Sequence, residues 1–186
     1  MSPRTRRDRR APSAPPAALQ RIWAPWRNSY LRVAAAESKE CIFCFGRLNA
    51  AERRRRLVLY DDRNALVMLN RYPYTGGHIM VAPRRHVGSP ELLTREERAA
   101  LGDLLAASVD QLSRTLHADG MNVGANLGRA AGAGFADHMH WHVVPRWHGD
   151  NNFMPVLASV RVVSQSLEDS YRQLRPVFKV VGAART

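Results

Sequence analysis

Three histidines alternate with other residues in the segment His138-x-His140-x-His142, where the chain is richest in side chains able to do chemistry. Successive side chains of a strand point to opposite faces, so this spacing predicts that the three imidazoles share one face. Three interpretations are open: a polar sheet face, a three-histidine metal site, and a histidine nucleophile that attacks a phosphorus centre. The residues disfavour the first interpretation and do not decide between the other two.

A glycine-rich segment, residues 124–134, leads directly into the histidines and contains four glycines. Glycine lets backbone N–H groups approach an anion closely, as they do in loops that hold phosphates. A loop of this kind next to a row of imidazoles favours chemistry on a phosphate ester.

The only two cysteines of the chain, Cys41 and Cys44, are separated by two residues. The first 20 residues lack the apolar run of a signal peptide, so we expect a cytoplasmic protein without a membrane anchor. A structural disulfide is not expected in a reducing compartment, which leaves a redox pair or two metal ligands.

Hydrophobic patterning predicts an α+β fold with an antiparallel sheet. Thr94 and Glu97 have the spacing of a capping box at the start of a long helix, residues 94–118, with Gly120 near its end. A second helix is predicted at 160–175, and we expect it to end there because Pro176 disfavours its continuation. The predicted strands are residues 57–60, 65–69, 78–82, 121–127 and 138–147.

The formal net charge is +12, from 28 basic and 16 acidic residues, which is typical of proteins that bind nucleic acid or another anion. Most of it falls in residues 1–22 and in the run Arg53–Arg56. We interpret residues 1–21 as a disordered Arg/Pro-rich tail and residues 22–186 as one domain with a C-terminal extension. The tail lacks the aromatic residues on which bases stack, so nucleic acid is disfavoured as the partner.

The histidine motif, followed by Val143 and Val144, resembles the signature of the histidine-triad (HIT) superfamily of nucleotide hydrolases and transferases. The segments 69–73 and 77–83 are similar to that family's nucleoside-binding hairpin. Trp23–Trp26 and residues 146–153 look like the bacterial branch that acts on diadenosine tetraphosphate. The resemblance implies a HIT-like fold: an antiparallel sheet of about five strands, one long central helix and a C-terminal helix.

The resemblance also implies roles for individual residues. His140 would attack the α-phosphate of a nucleotide and become nucleotidylated, with its Nδ1–H donated to the backbone carbonyl of His142. The His142 side chain would bind phosphate oxygens or the leaving group. No chemistry is assigned to His78. The implied substrate-binding residues are Asn70, Asn126, Ala133, Gly134 and Trp147.

The activity implied is cleavage of a dinucleoside polyphosphate, such as diadenosine tetraphosphate, through a nucleotidyl-histidine, with inorganic phosphate as acceptor. The products would be ADP and ATP. The alternative is a hydrolase of the same family, with water as acceptor and AMP released. Gly134 stands where many members carry a glutamine that helps to hold the α-phosphate and the attacking water, and this departure fits phosphate as the acceptor.

A zinc site is the cofactor implied by the resemblance, which adds His86 and His138 to Cys41 and Cys44. Four such ligands would make a closed, structural site. The resemblance further implies a homodimer or a higher homo-oligomer, in which Trp23–Trp26 would line an interface or pack in the core.

Overall fold

The structure is a computed structural model of the 186-residue chain, and it describes residues 40–150 and 165–183. The predicted tail, the domain boundary near residue 21 and the Trp23–Trp26 segment lie outside the described residues. The same holds for the first part of the helix predicted at 160–175 and for Asn152 and Phe153.

Five antiparallel strands form one sheet: β1 Val58–Asp61, β2 Ala65–Leu69, β3 Ile79–Pro83, β4 Gly120–Ala125 and β5 Trp141–Arg146. Their order across the sheet is β1-β2-β3-β5-β4, so β5 lies between β3 and β4, and β4 is an edge among the described strands. This confirms the predicted α+β class and the number of strands.

In the part of the chain that the structure describes, three helices accompany the sheet: α1 Ala50–Arg56, α2 Arg95–Leu116 and α3 Leu167–Ala183. Short 3-10 turns occupy Pro90–Leu92 and Arg129–Ala131. Within the described ranges, none of the helices has both the length and the apolar character that a membrane span requires.

The two faces of the sheet have different partners, because alternate side chains of each strand point in opposite directions. The face that packs against α2 and α3 contributes Val67, Ile79, Val81 and Val143 to the larger core. The opposite face contributes Leu66, Met68, Met80 and Ala82 to a smaller cluster built around Phe43. His142 lies opposite Met80 in the β3–β5 register, on this second face.

The long helix α2 begins as predicted. Thr94 accepts a hydrogen bond from the Glu97 backbone N–H, and the Glu97 side chain accepts one from the Thr94 backbone. At the other end, His117 takes the left-handed conformation, with φ 50°, and ends the helix. Gly120 is instead the first residue of β4, so the predicted helix end was about two residues too far along the chain.

Two helical features differ from the sequence prediction. The short helix α1 was not expected, yet Asn49 and Glu52 form a capping box and four arginines lie at its carbonyl end, where cations are favourable. The C-terminal helix α3 continues through Pro176 to Ala183. Leu174 and Phe178 are fully buried against the core, and this burial offsets the hydrogen bond that proline removes.

Candidate active site and metal centre

Two cysteines and two histidines from three separate parts of the chain meet beside the second sheet face. The Cys41 Sγ lies 3.3 Å from His138 Nδ1, and the Cys44 Sγ lies 3.2 Å from His86 Nδ1. One sulfur or nitrogen ligand atom from each of the four residues falls within 4.8 Å of the other three. The cluster can therefore hold a metal ion, and its members are the four residues predicted from the sequence.

The donor set and its hydrogen bonds fit a tetrahedral ion such as Zn²⁺, which prefers sulfur and imidazole nitrogen. His138 Nε2 lies 2.9 Å from the Pro83 carbonyl, so Nε2–H donates to that oxygen and leaves the Nδ1 lone pair for a metal. Burial lowers the pKa of His138 to about 4, which keeps its ring neutral as a ligand must be. Burial raises the pKa of the Cys44 thiol, and a bound cation would reverse that effect.

Arg84 attaches the cysteine segment to the sheet. Its guanidinium donates to the Phe45 carbonyl at 2.7 Å and lies over the Phe45 ring, 4.5 Å from the centroid. Its positive charge also lowers the pKa of the Cys44 thiol, against the larger effect of burial.

His140 is placed as a nucleophile with one free ring nitrogen. Its Nδ1 lies 3.0 Å from the His138 carbonyl, so Nδ1–H donates there and the lone pair is on Nε2. The ring is 5% exposed and rests 4.8 Å from the Phe43 ring, measured between centroids. Burial lowers the pKa of His140, so the imidazole stays neutral and nucleophilic near neutral pH.

The acceptor for the His140 Nδ1–H differs from the expectation, which was the backbone carbonyl of His142. The predicted strand 138–147 begins only at Trp141, so His138 and His140 lie in the approach to β5. His142 lies inside β5, between β3 and β4, where its backbone belongs to the sheet ladders. The His138 carbonyl lies outside those ladders, and the His140 ring reaches back two residues to it.

His142 is fixed by His78, a residue to which the sequence assigned no chemistry. The Tyr74 backbone N–H donates to His78 Nδ1 at 3.1 Å, which places the His78 proton on Nε2. His78 Nε2 lies 3.0 Å from His142 Nδ1, so it donates there and places the His142 proton on Nε2. Burial, together with the nearby His140, lowers the pKa of His142 to about 4.

The arrangement pairs two complementary nitrogens on neighbouring rings. The His140 and His142 centroids lie 4.9 Å apart, at 74° between ring planes. His140 offers an Nε2 lone pair, and His142 offers an Nε2–H donor. A base or nucleophile beside a donor is the combination that group transfer at a phosphate requires.

The sequence did not identify His78 as a site residue, because its partner His142 lies 64 residues away in the chain. The available signal was weak: a histidine directly after Gly76-Gly77 and before a strand. Its complete burial, with exposed fraction 0%, is what marks it as a residue with a specific partner.

The residues predicted to bind substrate occupy two loops next to the histidines. The Asn70 side-chain oxygen accepts from the Tyr72 backbone N–H at 2.9 Å, in the loop that leads to His78. Asn126 donates to the Gly132 carbonyl at 3.4 Å, across the glycine-rich loop. The Ala133 amide donates to the Gly128 carbonyl at 3.4 Å, and Gly134 begins the turn towards the histidines. Their contacts to substrate stay predictions.

Trp147 has a different set of neighbours from the histidines. Its indole N–H donates to the carbonyls of Leu116 and His117, at 3.3 and 3.1 Å, at the end of α2. Arg146 beside it donates to both carboxylate oxygens of Asp150, which lowers the pKa of Asp150 to about 2. The indole contacts join the end of β5 to the end of α2, and substrate binding by Trp147 stays a prediction.

Comparison with known proteins agrees with this site. Residues 52–149 match the family model described as the HIT domain. AP-4-A phosphorylase from Mycobacterium tuberculosis is 37% identical over 161 residues, which cover 84% of this chain and 83% of that protein. An uncharacterized HIT-like protein from Saccharolobus solfataricus is 30% identical over 115 residues, 61% of this chain and 79% of that protein. The chain belongs to the HIT domain family, as its histidine motif predicted.

Solved structures give the same result for the fold. A Zn-bound histidine triad family protein from Mycobacterium smegmatis superposes with a TM-score of 0.55 at 25% identity, covering 84% of this chain and 96% of that one. A hypothetical histidine triad nucleotide-binding protein from Sulfolobus tokodaii superposes with a TM-score of 0.58 at 23% identity, covering 76% and 93%. The HIT fold predicted from the sequence is thereby confirmed.

Proposed function

We propose that this protein is a nucleotidyltransferase that cleaves dinucleoside polyphosphates, with diadenosine tetraphosphate as substrate and inorganic phosphate as the acceptor. The observation that carries the proposal is the hydrogen bond from His140 Nδ1–H to the His138 carbonyl, which leaves His140 Nε2 as a neutral nucleophile. The 37% identity to a relative named AP-4-A phosphorylase supports this choice of substrate.

In the first step, the His140 Nε2 lone pair forms a bond to an α-phosphorus, and the bond from that phosphorus to its bridging oxygen breaks. The electron pair of that bond leaves with the bridging oxygen as ATP. The Nε2–H of His142 donates a hydrogen bond to that oxygen and offsets its developing charge. Asn70 binds the ribose, and Asn126 binds ribose or phosphate.

In the second step, an oxygen of inorganic phosphate attacks the phosphorus of nucleotidyl-His140, and the Nε2–P bond breaks. The product is ADP, so that diadenosine tetraphosphate and phosphate give ADP and ATP. Water as the acceptor would give AMP instead, and this is the second candidate. The absence of a side chain at Gly134, in the segment next to His140, favours the bulkier acceptor.

Zinc is the metal we assign to the Cys41, Cys44, His86 and His138 cluster. Zinc would act structurally there, because four protein ligands leave no open position for substrate. The Zn-bound relative from Mycobacterium smegmatis supports this choice.

We further propose a homodimer. The edge strand β4 has an exposed face, on which Val123 is 43% exposed. Among the described residues β4 is the last strand of the sheet, and a strand edge of this kind is a ready partner for a second copy of the same strand. Light scattering on the full chain is expected to give the mass of two protomers, and a stable monomer mass would contradict this.

The experiment that tests the function identifies the adenine nucleotides formed from diadenosine tetraphosphate with and without inorganic phosphate. The expected products are ADP and ATP, with ADP dependent on added phosphate. AMP formed regardless of phosphate would mean that the protein is a hydrolase, with water as the acceptor, and not a phosphorylase. Failure to turn over any dinucleoside polyphosphate would overturn both.

A further inference from the structure

Tyr74 lies at the rim of the site, beside His78 and His142. This pair places the N–H donor that faces the leaving oxygen. The Tyr74 ring stacks on His78, with centroids 4.9 Å apart and 24° between ring planes. The Tyr74 centroid is 6.2 Å from that of His142. Although it is a large aromatic residue, Tyr74 remains 37% exposed.

The loop that carries Tyr74 is held in one conformation by contacts at several points. Thr75 Oγ1–H donates to the Pro145 carbonyl in β5 at 2.9 Å, and the Tyr74 backbone N–H donates to His78. Gly77 has φ +76°, and a Cβ there would clash with Leu116 Cδ1 in α2. The position of the Tyr74 ring is therefore set before any ligand arrives.

The leaving group of the first step departs on the side of His142, which the Tyr74 ring flanks. Nucleophile and leaving oxygen stand in line across the phosphorus, so the departing chain runs from His140 towards and past the His142 donor. In a dinucleoside polyphosphate that chain ends in a second nucleoside. Every base has a π face that can stack on an aromatic side chain, and this stacking is largely independent of the base's hydrogen-bonding pattern.

We propose that Tyr74 is a specificity-determining residue that stacks on the base of the departing nucleotide, the second base of the substrate. This inference rests on the proposed function, because it assigns a place to the half of the substrate that leaves as ATP. Such stacking would let the enzyme tell a dinucleoside polyphosphate from a mononucleotide with an equally long phosphate chain.

Binding to a version of the full-length, metal-loaded protein that cannot react tests the proposal. In a His140→Ala background, calorimetry would give the Kd of diadenosine tetraphosphate and of adenosine 5′-tetraphosphate, which has the same phosphate chain and lacks the second nucleoside. Adding Tyr74→Ala is expected to weaken the dinucleotide about tenfold. The Kd of adenosine tetraphosphate should change by less than about twofold, well below the effect of one stacked base.

Two further variants separate the ring from the fold of the loop. Tyr74→Phe keeps an aromatic face and is expected to preserve the ratio of the two Kd values. Tyr72→Ala removes another exposed ring from the same loop, 53% exposed, and should also preserve the ratio.

Three results would overturn the proposal: an equal loss for both ligands in Tyr74→Ala, no loss for either ligand, or equal affinities for both in the protein that retains Tyr74. An equal loss would mean that Tyr74 acts only through His78 and His142. Failure of the proposed function has a separate signature, since the protein with His140 intact would then leave diadenosine tetraphosphate uncleaved.

Discussion

His138 connects the metal cluster to His140 through two different groups. Its ring Nδ1 lies 3.3 Å from the Cys41 sulfur and 3.5 Å from the Cys44 sulfur. Its backbone carbonyl accepts the Nδ1–H of His140 at 3.0 Å. Anything that displaces the His138 ring therefore also moves the acceptor that holds the nucleophile in its reactive tautomer.

Removing one of the four metal-cluster side chains should lower both the zinc content and the activity. The parent protein is expected to contain about one zinc per protomer. Cys44→Ser and His86→Ala are expected to lose it, to unfold at a lower temperature, and to lower kcat about tenfold or more, because His140 is held less firmly. Elemental analysis, thermal unfolding and steady-state kinetics measure the three effects.

His148→Ala is the matched control for the metal prediction. Its side chain is 94% exposed and pairs with Asp119 at 2.9 Å. Zinc content and melting temperature should stay at parent values. Full zinc retention by both ligand variants would show that the cluster is not the zinc site.

His78→Ala should impair the chemical step more than substrate binding. Without the His78 donor, His142 can carry its proton on Nδ1, and then no N–H faces the leaving oxygen. One such hydrogen bond is worth about 1–3 kcal/mol, so kcat should fall about 5- to 150-fold while KM changes little. Nitrogen-15 NMR of the imidazoles would report the His142 tautomer directly. An unchanged kcat with the proton still on His142 Nε2 would contradict the role of His78.

The pH dependence of kcat should reflect the lowered pKa of His142. Its ring faces His140, His78 and the Tyr74 ring, and burial lowers its pKa to about 4. Protonation of Nδ1 would remove the acceptor for His78. Since burial shifts this protonation, and that of the His140 nucleophile, to lower pH, kcat should hold its plateau below the ordinary histidine pKa of 6.5 and decline only at lower pH. A decline centred at 6.5 or above would be the contrary result.

Gly77 and Gly102 make a matched pair for stability. Alanine at Gly77 would sit at φ +76° and would meet Leu116 Cδ1, so Gly77→Ala should lower the free energy of unfolding by about 1–2 kcal/mol or more. Gly102 lies in α2 with no atom within 4 Å of a Cβ, and Gly102→Ala should raise the free energy by about 0.5–1 kcal/mol. Urea unfolding measures both, and equal effects would contradict the difference in packing.

Local features of the sequence predicted much of the fold. The first two predicted strands match β1 and β2 within a residue, and the capping box at Thr94 marks the start of α2. These features depend on neighbouring residues, so they can be read from a short window. The continuation of α3 through Pro176 depends on the burial of Leu174 and Phe178 in a core formed elsewhere, and a local rule missed it.

The candidate site also contains features that the sequence predicted and features that it did not. Residue spacing alone singled out Cys41, Cys44 and the row of histidines, and the resemblance added His86 and His138 to the cysteines as metal ligands. The resemblance gave the wrong acceptor for the His140 Nδ1–H, and nothing in the sequence indicated that His78 pairs with His142. The first error concerns the acceptor of that proton, a carbonyl two residues away whose position depends on where β5 begins. The second concerns a pairing between residues 64 positions apart, which no short window of sequence reveals.

The covalent nucleotidyl-His140 intermediate is tested most directly by a single-turnover experiment without inorganic phosphate. Diadenosine tetraphosphate is mixed with the full-length protein, released ATP is counted, and intact mass with peptide mapping locates any adduct. We predict a burst of about one ATP per protomer with a nucleotidyl group on His140, and ADP release when phosphate is added. Turnover that persists in His140→Ala, or ATP release without any adduct and with AMP formed at an undiminished rate, would contradict it.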